Sequence, residues 1–96
     1  MLKQTIGFIG AGQMARALAV GFVNAKLTEA ARISFCDPVE TACDDFAEAV
    51  GGARRAENNV KVVEQSDTIF LAVKPQSMST VFAEVGGRIA ADKLIV

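Results

Sequence analysis

Short apolar runs alternate along the chain with longer segments in which apolar residues recur every three or four positions. The run from Ile6 to Ile9 is too short for a helix, and its β-forming residues favour a strand. The unbroken run from Ile69 to Val73 is typical of a strand that is covered on both faces. Strands and helices alternating in this way predict an α/β fold, with a parallel sheet and right-handed crossover connections.

The pattern also gives the approximate bounds of the elements. We predict strands at 6–9, 32–36, 53–56, 67–73 and 94–96, and helices at 12–24, 37–50, 58–65 and from 77 onward. A Rossmann-type doubly wound parallel sheet with strand order 3-2-1-4-5 follows, with a ligand at the carboxyl ends of strands one and four. The sheet is expected to be incomplete at its C-terminal end, because Leu94 to Val96 only begin the fifth strand.

Three of the predicted helices have a recognisable start or a buried face. Asp37 and Glu40 stand at the cap and third positions of the second helix, which predicts a capping box. The fourth helix, capped by Ser77, carries apolar residues at helical spacing. The first helix also has an apolar face, which is predicted to pack in the core. The residues of the fourth helix are Val81, Phe82, Val85 and Ile89, and those of the first are Met14, Ala15, Leu18, Ala19 and Phe22. Met14 lies early enough in its helix to contact a ligand as well.

The turn between the first strand and the first helix contains a dinucleotide-binding fingerprint. Gly10, Gly12 and Ala15 form the small-residue pattern G-x-G-x-x-A. Gly10 permits a tight turn, Gly12 has no Cβ to keep a pyrophosphate from the backbone, and Ala15 lets the helix pack closely on the strand. An acidic residue, Asp37, follows about 20 residues later, where the fingerprint places its ribose ligand.

Composition narrows the possible functions. Hydrophobic residues make up 51% of the chain and the net charge is −1, which argues against disorder and against nucleic-acid binding. No run has membrane-spanning length and no signal-peptide pattern is present, so we predict a cytoplasmic protein without a membrane partner. Cys36 and Cys43 have no metal-ligand or redox spacing and are expected to be reduced thiols, with Cys36 in the core.

Two blocks of sequence resemble the cofactor domain of pyrroline-5-carboxylate reductase. The first runs from Gly7 to Ala15, with Ala17 and Gly21 continuing it, and the second and more specific block runs from Ser66 to Gln76. The resemblance covers essentially the whole chain. It implies NAD(P)H-dependent reduction of 1-pyrroline-5-carboxylate to L-proline, the last step of proline biosynthesis, in a protein that forms homo-oligomers.

The resemblance also implies the residues that bind the cofactor. The pyrophosphate would lie on Gly10, Ala11, Gly12, Gln13 and Met14, the adenosine near Asn59, and the nicotinamide ribose beside Ala72, Val73, Lys74 and Pro75. Each of the later residues has a plainer explanation: Asn59 as a helix cap, Lys74 as a surface charge, and Pro75 as the end of a strand. No catalytic residue and no metal ligand is assigned.

Asp37 bears on the choice of cofactor. A carboxylate at this position accepts hydrogen bonds from the adenosine ribose and repels a 2′-phosphate, so NADH would be mildly favoured. The alternative is a capping role, in which Asp37 turns its carboxylate to the backbone.

Three functions fit these observations. The first is the coenzyme domain of a proline-forming reductase, with residues 1–96 forming an NAD(P)-binding domain that is inactive without a following helical substrate and oligomerisation domain. The second is the cofactor domain of another imine or 3-hydroxyacid dehydrogenase. The third is a non-catalytic dinucleotide-binding module.

Overall fold

The sheet has five parallel strands, with β1 at its centre. A computed structural model describes residues 5–86 and the backbone of residues 94–95. The strands are β1 Ile6–Ile9, β2 Ile33–Cys36, β3 Arg54–Arg55, β4 Thr68–Leu71 and β5 Leu94–Ile95. Their order is β3-β2-β1-β4-β5, as predicted. In register, Phe8 of β1 lies between Phe35 of β2 and Phe70 of β4.

Helices connect the strands and cover both faces of the sheet. They are α1 Gln13–Asn24, α2 Glu40–Ala49, α3 Asn59–Gln65 and α4 Met78–Val85, with 3₁₀ turns at Ala30–Arg32 and Pro75–Ser77. The strand order and the parallel crossovers define a Rossmann-type fold. None of the helices in the described part of the chain is long and apolar enough to span a membrane.

Aromatic side chains fill the core between the sheet and helices α1 and α2. Phe8 is fully buried, and its ring lies 5.2 Å from that of Phe70 and 5.7 Å from that of Phe46. Phe35 completes the group, 4.3 Å from Phe46. Small residues let α1 approach this layer, because Ala15 is fully buried. Ala15 therefore has the position that the fingerprint predicts for it.

The opposite face of the sheet packs against α3 and α4. Ile9, Val62 and Val85 belong to this second core and are almost completely buried. Gly7 lies on the same face, and a Cβ at this position would stand 2.6 Å from Val62 Cγ1 and overlap the Ser66 hydroxyl. The absence of a side chain at Gly7 therefore allows α3 to lie against the central strand.

The predicted start of α2 is wrong. Its N-cap is Val39, which has extended backbone angles, and no capping side chain bonds to the helix. Neither residue of the predicted capping box caps the helix. The Asp37 carboxylate accepts hydrogen bonds from Val39 N–H and from Ala11 N–H in a distant loop, and the Glu40 carboxylate binds Arg55. The helix consequently begins at Glu40, three residues after the predicted cap.

Two predictions about the core are also wrong. Met14 is 71% exposed, because α1 has only just begun there and no other described element covers its side chain. Cys36 is half-buried, and it is Cys43 that is buried in the core. Ile89 of the predicted fourth helix and Val96 of the predicted fifth strand lie outside the described residues.

Candidate functional site

A cleft of about 830 Å³ lies at the carboxyl ends of β1 and β4, where the strand order predicts the ligand. It is bounded by the turn after β1, the loop after β2, the start of α3, the end of β4 and one side of α4. The lining residues are Ile9, Gly10, Gly12, Cys36, Asp37, Pro38, Val39, Glu57, Asn58, Asn59, Ala72, Val73, Lys74, Gln76, Ser77, Thr80, Val81 and Glu84.

The turn after β1 is fixed by the strands on both sides. Gly10 has φ +103°, which favours glycine, and a Cβ there would lie 2.8 Å from the carbonyl carbon of Ala72. Its N–H donates to the Cys36 carbonyl over 2.8 Å, and Ala72 N–H donates to the Ile9 carbonyl over 2.8 Å. The turn is therefore held in place before any ligand binds.

Gly12 leaves open space beside the cleft at the point where α1 begins. It is the N-cap of α1, with an ordinary φ of −76°, and nothing lies within 4 Å of where its Cβ would be. No side chain in the described part of the chain caps this helix, and its first turn holds no acidic residue. The unpaired N–H groups and the positive end of the helix dipole suit an anion such as a phosphate.

Asp37 joins the fingerprint turn to the loop after β2. One carboxylate oxygen accepts a hydrogen bond from Ala11 N–H and the other from Val39 N–H, both over 2.8 Å. The side chain is half-buried at the edge of the cleft. Ala11 is fully buried, so this amide serves the turn itself in the structure.

The two asparagines before α3 have different roles. Asn58 is the N-cap, because its side chain accepts a hydrogen bond from Lys61 N–H over 2.9 Å. Asn59 is therefore free of the capping role, and its amide donates to the Glu84 carboxylate over 3.4 Å. This contact links α3 to α4 across one side of the cleft.

The segment after β4 turns sharply at the cleft edge. Ala72 and Val73 are half-buried, and Lys74 is exposed. Pro75 begins a 3₁₀ turn in which Ser77 N–H donates to the Lys74 carbonyl over 2.9 Å. The backbone thus leaves the sheet directly beside the fingerprint turn.

Carboxylates outnumber ammonium groups among the lining residues. The lining contains three carboxylates, those of Asp37, Glu57 and Glu84, and one lysine, Lys74. Cys36 also lines the cleft, and burial raises the pKa of its thiol, with Cys43 and Asp37 adding to the rise. The thiol is consequently neutral and unreactive near neutral pH.

The structure brings most of the predicted site residues together. Those lining the cleft are Gly10, Gly12, Asp37, Asn59, Ala72, Val73 and Lys74. The other four lie beside it without lining it: Ala11, Gln13, Met14 and Pro75. Glu57 and Glu84 line the cleft but belong to no local motif that would predict it: Glu57 reaches it from the loop before α3 and Glu84 from α4, so only the tertiary packing places them here.

Comparison with known proteins agrees with this geometry. A family profile described as NADP oxidoreductase, coenzyme F420-dependent, matches residues 5–96. The chain belongs to this family. The fold and the family together give it a dinucleotide-binding role, with NAD(P)H as the class of cofactor.

Individual relatives confirm the resemblance to pyrroline-5-carboxylate reductase. The chain is 38% identical over 96 residues to that enzyme from Methanosarcina acetivorans, covering 100% of this chain and 35% of the relative. The Coxiella burnetii reductase structure has 28% identity and a TM-score of 0.83, over 99% of this chain and 36% of that one. A Plasmodium falciparum pyrroline carboxylate reductase, with NADP bound, has 25% identity and a TM-score of 0.80, over 99% and 33%. The chain spans about a third of the length of these relatives.

Proposed function

We propose that this chain is the coenzyme domain of a pyrroline-5-carboxylate reductase. The proposal rests on the 38% identity to a protein of that name and on the cleft at the fingerprint turn. In the reaction, hydride from NAD(P)H adds to the C=N carbon of 1-pyrroline-5-carboxylate and a proton adds to the nitrogen, giving L-proline. The substrate, the homo-oligomer and the cytoplasmic location belong to this proposal.

The contribution of the described residues is to bind and orient the cofactor. The observation that carries the assignment is Gly12, whose missing side chain leaves the N-terminus of α1 open to the cleft. The pyrophosphate would lie on the N–H groups there, with Gln13 and Met14 in the first helical turn. Asn59 would face the adenosine, and Ala72 to Pro75 would pass beside the nicotinamide ribose. A dinucleotide supplies the hydride, so the domain needs no acid or base of its own for that transfer.

We further propose that the site favours NADH. Asp37, Glu57 and Glu84 all line the cleft, so a 2′-phosphate would enter a region of negative charge. Two unit charges 4 Å apart repel by about 4 kcal/mol at an effective dielectric of 20, and solvent lowers this value at an open site. A remainder of about 1.4 kcal/mol is a tenfold preference.

A glycine substitution tests the coenzyme assignment. Gly12→Val places a side chain in the space proposed for the pyrophosphate, without contacting any protein atom within 4 Å at its Cβ. We expect binding of NADH and NADPH to fall below detection in titration calorimetry, while far-UV circular dichroism stays unchanged. The matched control is Gly21→Ala, because Gly21 also borders open space but lies farther along α1. Undiminished binding by Gly12→Val would refute the phosphate assignment.

The runner-up function is a cofactor domain of another imine or 3-hydroxyacid dehydrogenase. A longer protein that contains this chain followed by a helical domain should reduce 1-pyrroline-5-carboxylate, whereas residues 1–96 alone should bind cofactor without turnover. Reduction of other imines or oxidation of 3-hydroxyacids, with no activity on pyrroline-5-carboxylate, would favour the alternative. Binding without any turnover in that longer protein would favour a non-catalytic module.

A further inference from the structure

Arg55 and Glu40 form a bidentate ion pair beside the loop that follows β2. Arg55 Nη1 donates to Glu40 Oε1 over 2.7 Å and Nη2 to Glu40 Oε2 over 2.6 Å. Arg55 ends β3 and Glu40 begins α2, so the pair joins the two elements through residues that are 15 positions apart in sequence. This parallel geometry is the strongest that arginine makes with an oxyanion, and it is the same one that arginine makes with phosphate.

The register of the strands places this pair near the end of the cleft that contains Asp37, although Glu40 and Arg55 do not themselves line it. Arg55 lies opposite Phe35, which comes two residues before Asp37. At about 3.3 Å per residue, Asp37 lies about 7 Å beyond Phe35, just past the end of β2. Val39 immediately precedes Glu40, Glu57 follows Arg55 by two positions, and both line the cleft.

The charge of Arg55 already reaches the cleft. Burial raises the pKa of the Cys36 thiol, and the Arg55 guanidinium acts against that rise. The hydrogen bonds from Arg55 also lower the pKa of Glu40, so Glu40 stays ionised at neutral pH. Both side chains are substantially exposed, at 46% for Arg55 and 69% for Glu40, so each can exchange its partner without unfolding the chain.

We propose that Glu40 selects against NADPH by holding Arg55, the arginine that would otherwise receive the 2′-phosphate. The proposal rests on the proposed coenzyme function and adds a specificity-determining pair outside the fingerprint. In Rossmann folds, an arginine near the end of the second strand accommodates the 2′-phosphate. Here Glu40 occupies the donor fork of the single Arg55 guanidinium and neutralises its positive charge. A 2′-phosphate arriving beside Asp37 would therefore find Glu40 as a competitor for Arg55.

The test is Glu40→Gln in the 96-residue chain, with dissociation constants measured for NADH and NADPH. Glutamine has nearly the same shape but no charge and only one acceptor oxygen, so it cannot hold the Arg55 fork and leaves Arg55 able to bind phosphate. We expect the affinity for NADPH to rise about tenfold, equivalent to about 1.4 kcal/mol, and that for NADH to change much less. Adenosine 2′,5′-bisphosphate should gain affinity as NADPH does, whereas 5′-AMP should not.

Two further variants separate Arg55 from a general effect of charge. Glu64→Gln removes the same charge from α3, where Glu64 pairs with Lys61 and does not line the cleft, so it should leave the NADPH affinity unchanged. The double variant Glu40→Gln/Arg55→Ala should lose the gain. An equal gain in Glu64→Gln, or a gain that persists without Arg55, would overturn the proposal. Absence of binding of either dinucleotide to the unmodified chain would refute the coenzyme function itself.

Discussion

At the scale of single residues, Asp37 bears on both the stability of the cleft and the proposed choice of cofactor. Both of its carboxylate oxygens accept backbone hydrogen bonds, from Ala11 and Val39, so it ties two loops of the cleft together. Each oxygen retains a second lone pair with which it can accept a hydrogen bond from a ribose hydroxyl. Tying the loops and binding the ribose are therefore compatible, whereas the sequence had set a ribose contact against a helix cap.

Replacing Asp37 by serine should change both properties. We expect Asp37→Ser to lower the free energy of unfolding by about 1–3 kcal/mol, because two backbone donors lose a charged acceptor. The ratio of NADPH affinity to NADH affinity should rise, since a carboxylate beside the 2′-phosphate is removed. Urea unfolding and calorimetric titration give the two values.

The control for this change is Glu48→Ser on the exposed side of α2. It removes an equal charge away from the cleft, so both the stability and the affinity ratio should stay nearly constant. If Asp37→Ser lost stability while the ratio of NADPH affinity to NADH affinity stayed constant, the role of Asp37 would be limited to holding the two loops together.

Cys36 gives a pH-dependent prediction. Burial, Cys43 and Asp37 raise its pKa, so the rate at which iodoacetamide alkylates Cys36, followed by peptide mass mapping, should be slow at neutral pH. The rate should inflect at a pH above the ordinary pKa of a cysteine thiol. Because the folded pKa is raised, the associated stability is present below the unfolded pKa and is lost as pH rises through the folded pKa. Bound NADH should slow the reaction, and an inflection at or below the ordinary pKa of a cysteine thiol would contradict this account.

At the scale of elements, the contact between β1 and α3 depends on Gly7. A Cβ there would overlap the buried Ser66 hydroxyl and lie 2.6 Å from Val62 Cγ1, so strand and helix would have to separate. We expect Gly7→Ala to lower the free energy of unfolding by about 1–3 kcal/mol, the usual range for overpacking. Gly51→Ala is the control, because nothing lies within 4 Å of its added Cβ. Equal stability of the two variants in urea would show that α3 can move without cost.

The elements that the sequence predicted well are those with strong local signals. The strand at Ile6 and the helix after Gly12 combine a β-forming run, a glycine turn and helical spacing within one segment. The start of α2 was misplaced because its apparent capping residues are used elsewhere. Asp37 bonds to Ala11, which is 26 positions away, and Glu40 bonds to Arg55. No local pattern contains these partners.

Helical periodicity shows which residues share a face, but it does not show what covers that face. Met14 shares a face of α1 with buried Ala15 and Ala19, yet it is 71% exposed. Phe82 on α4 is similarly 48% exposed, although its neighbours Val81 and Val85 are buried. The difference is set by the position of the neighbouring elements, which is a tertiary property.

At the scale of the whole molecule, the place of the site was predictable and its full lining was not. Parallel strands bring their carboxyl ends to one edge, so the fingerprint turn and the end of β4 had to meet there. Glu57 and Glu84 reach the same cleft from the loop before α3 and from α4. Their position depends on how two helices pack, which is why the negative character of the cleft emerges only from the structure.

The same topology predicts that cofactor binding stabilises the entire chain. A ligand in the cleft would contact the ends of β1 and β4, the start of α1 and the loop after β2, so it would bind the folded state alone. At 100 times its dissociation constant, such a ligand adds about 2.7 kcal/mol to the free energy of unfolding. Since 1 kcal/mol raises the Tm of a domain of this size by about 4–8 °C, NADH should raise it by about 10 °C or more in differential scanning calorimetry. Gly21→Ala should retain this shift and Gly12→Val should lose it. An equal shift in Gly12→Val would mean that NADH stabilises the chain from a site other than the fingerprint turn.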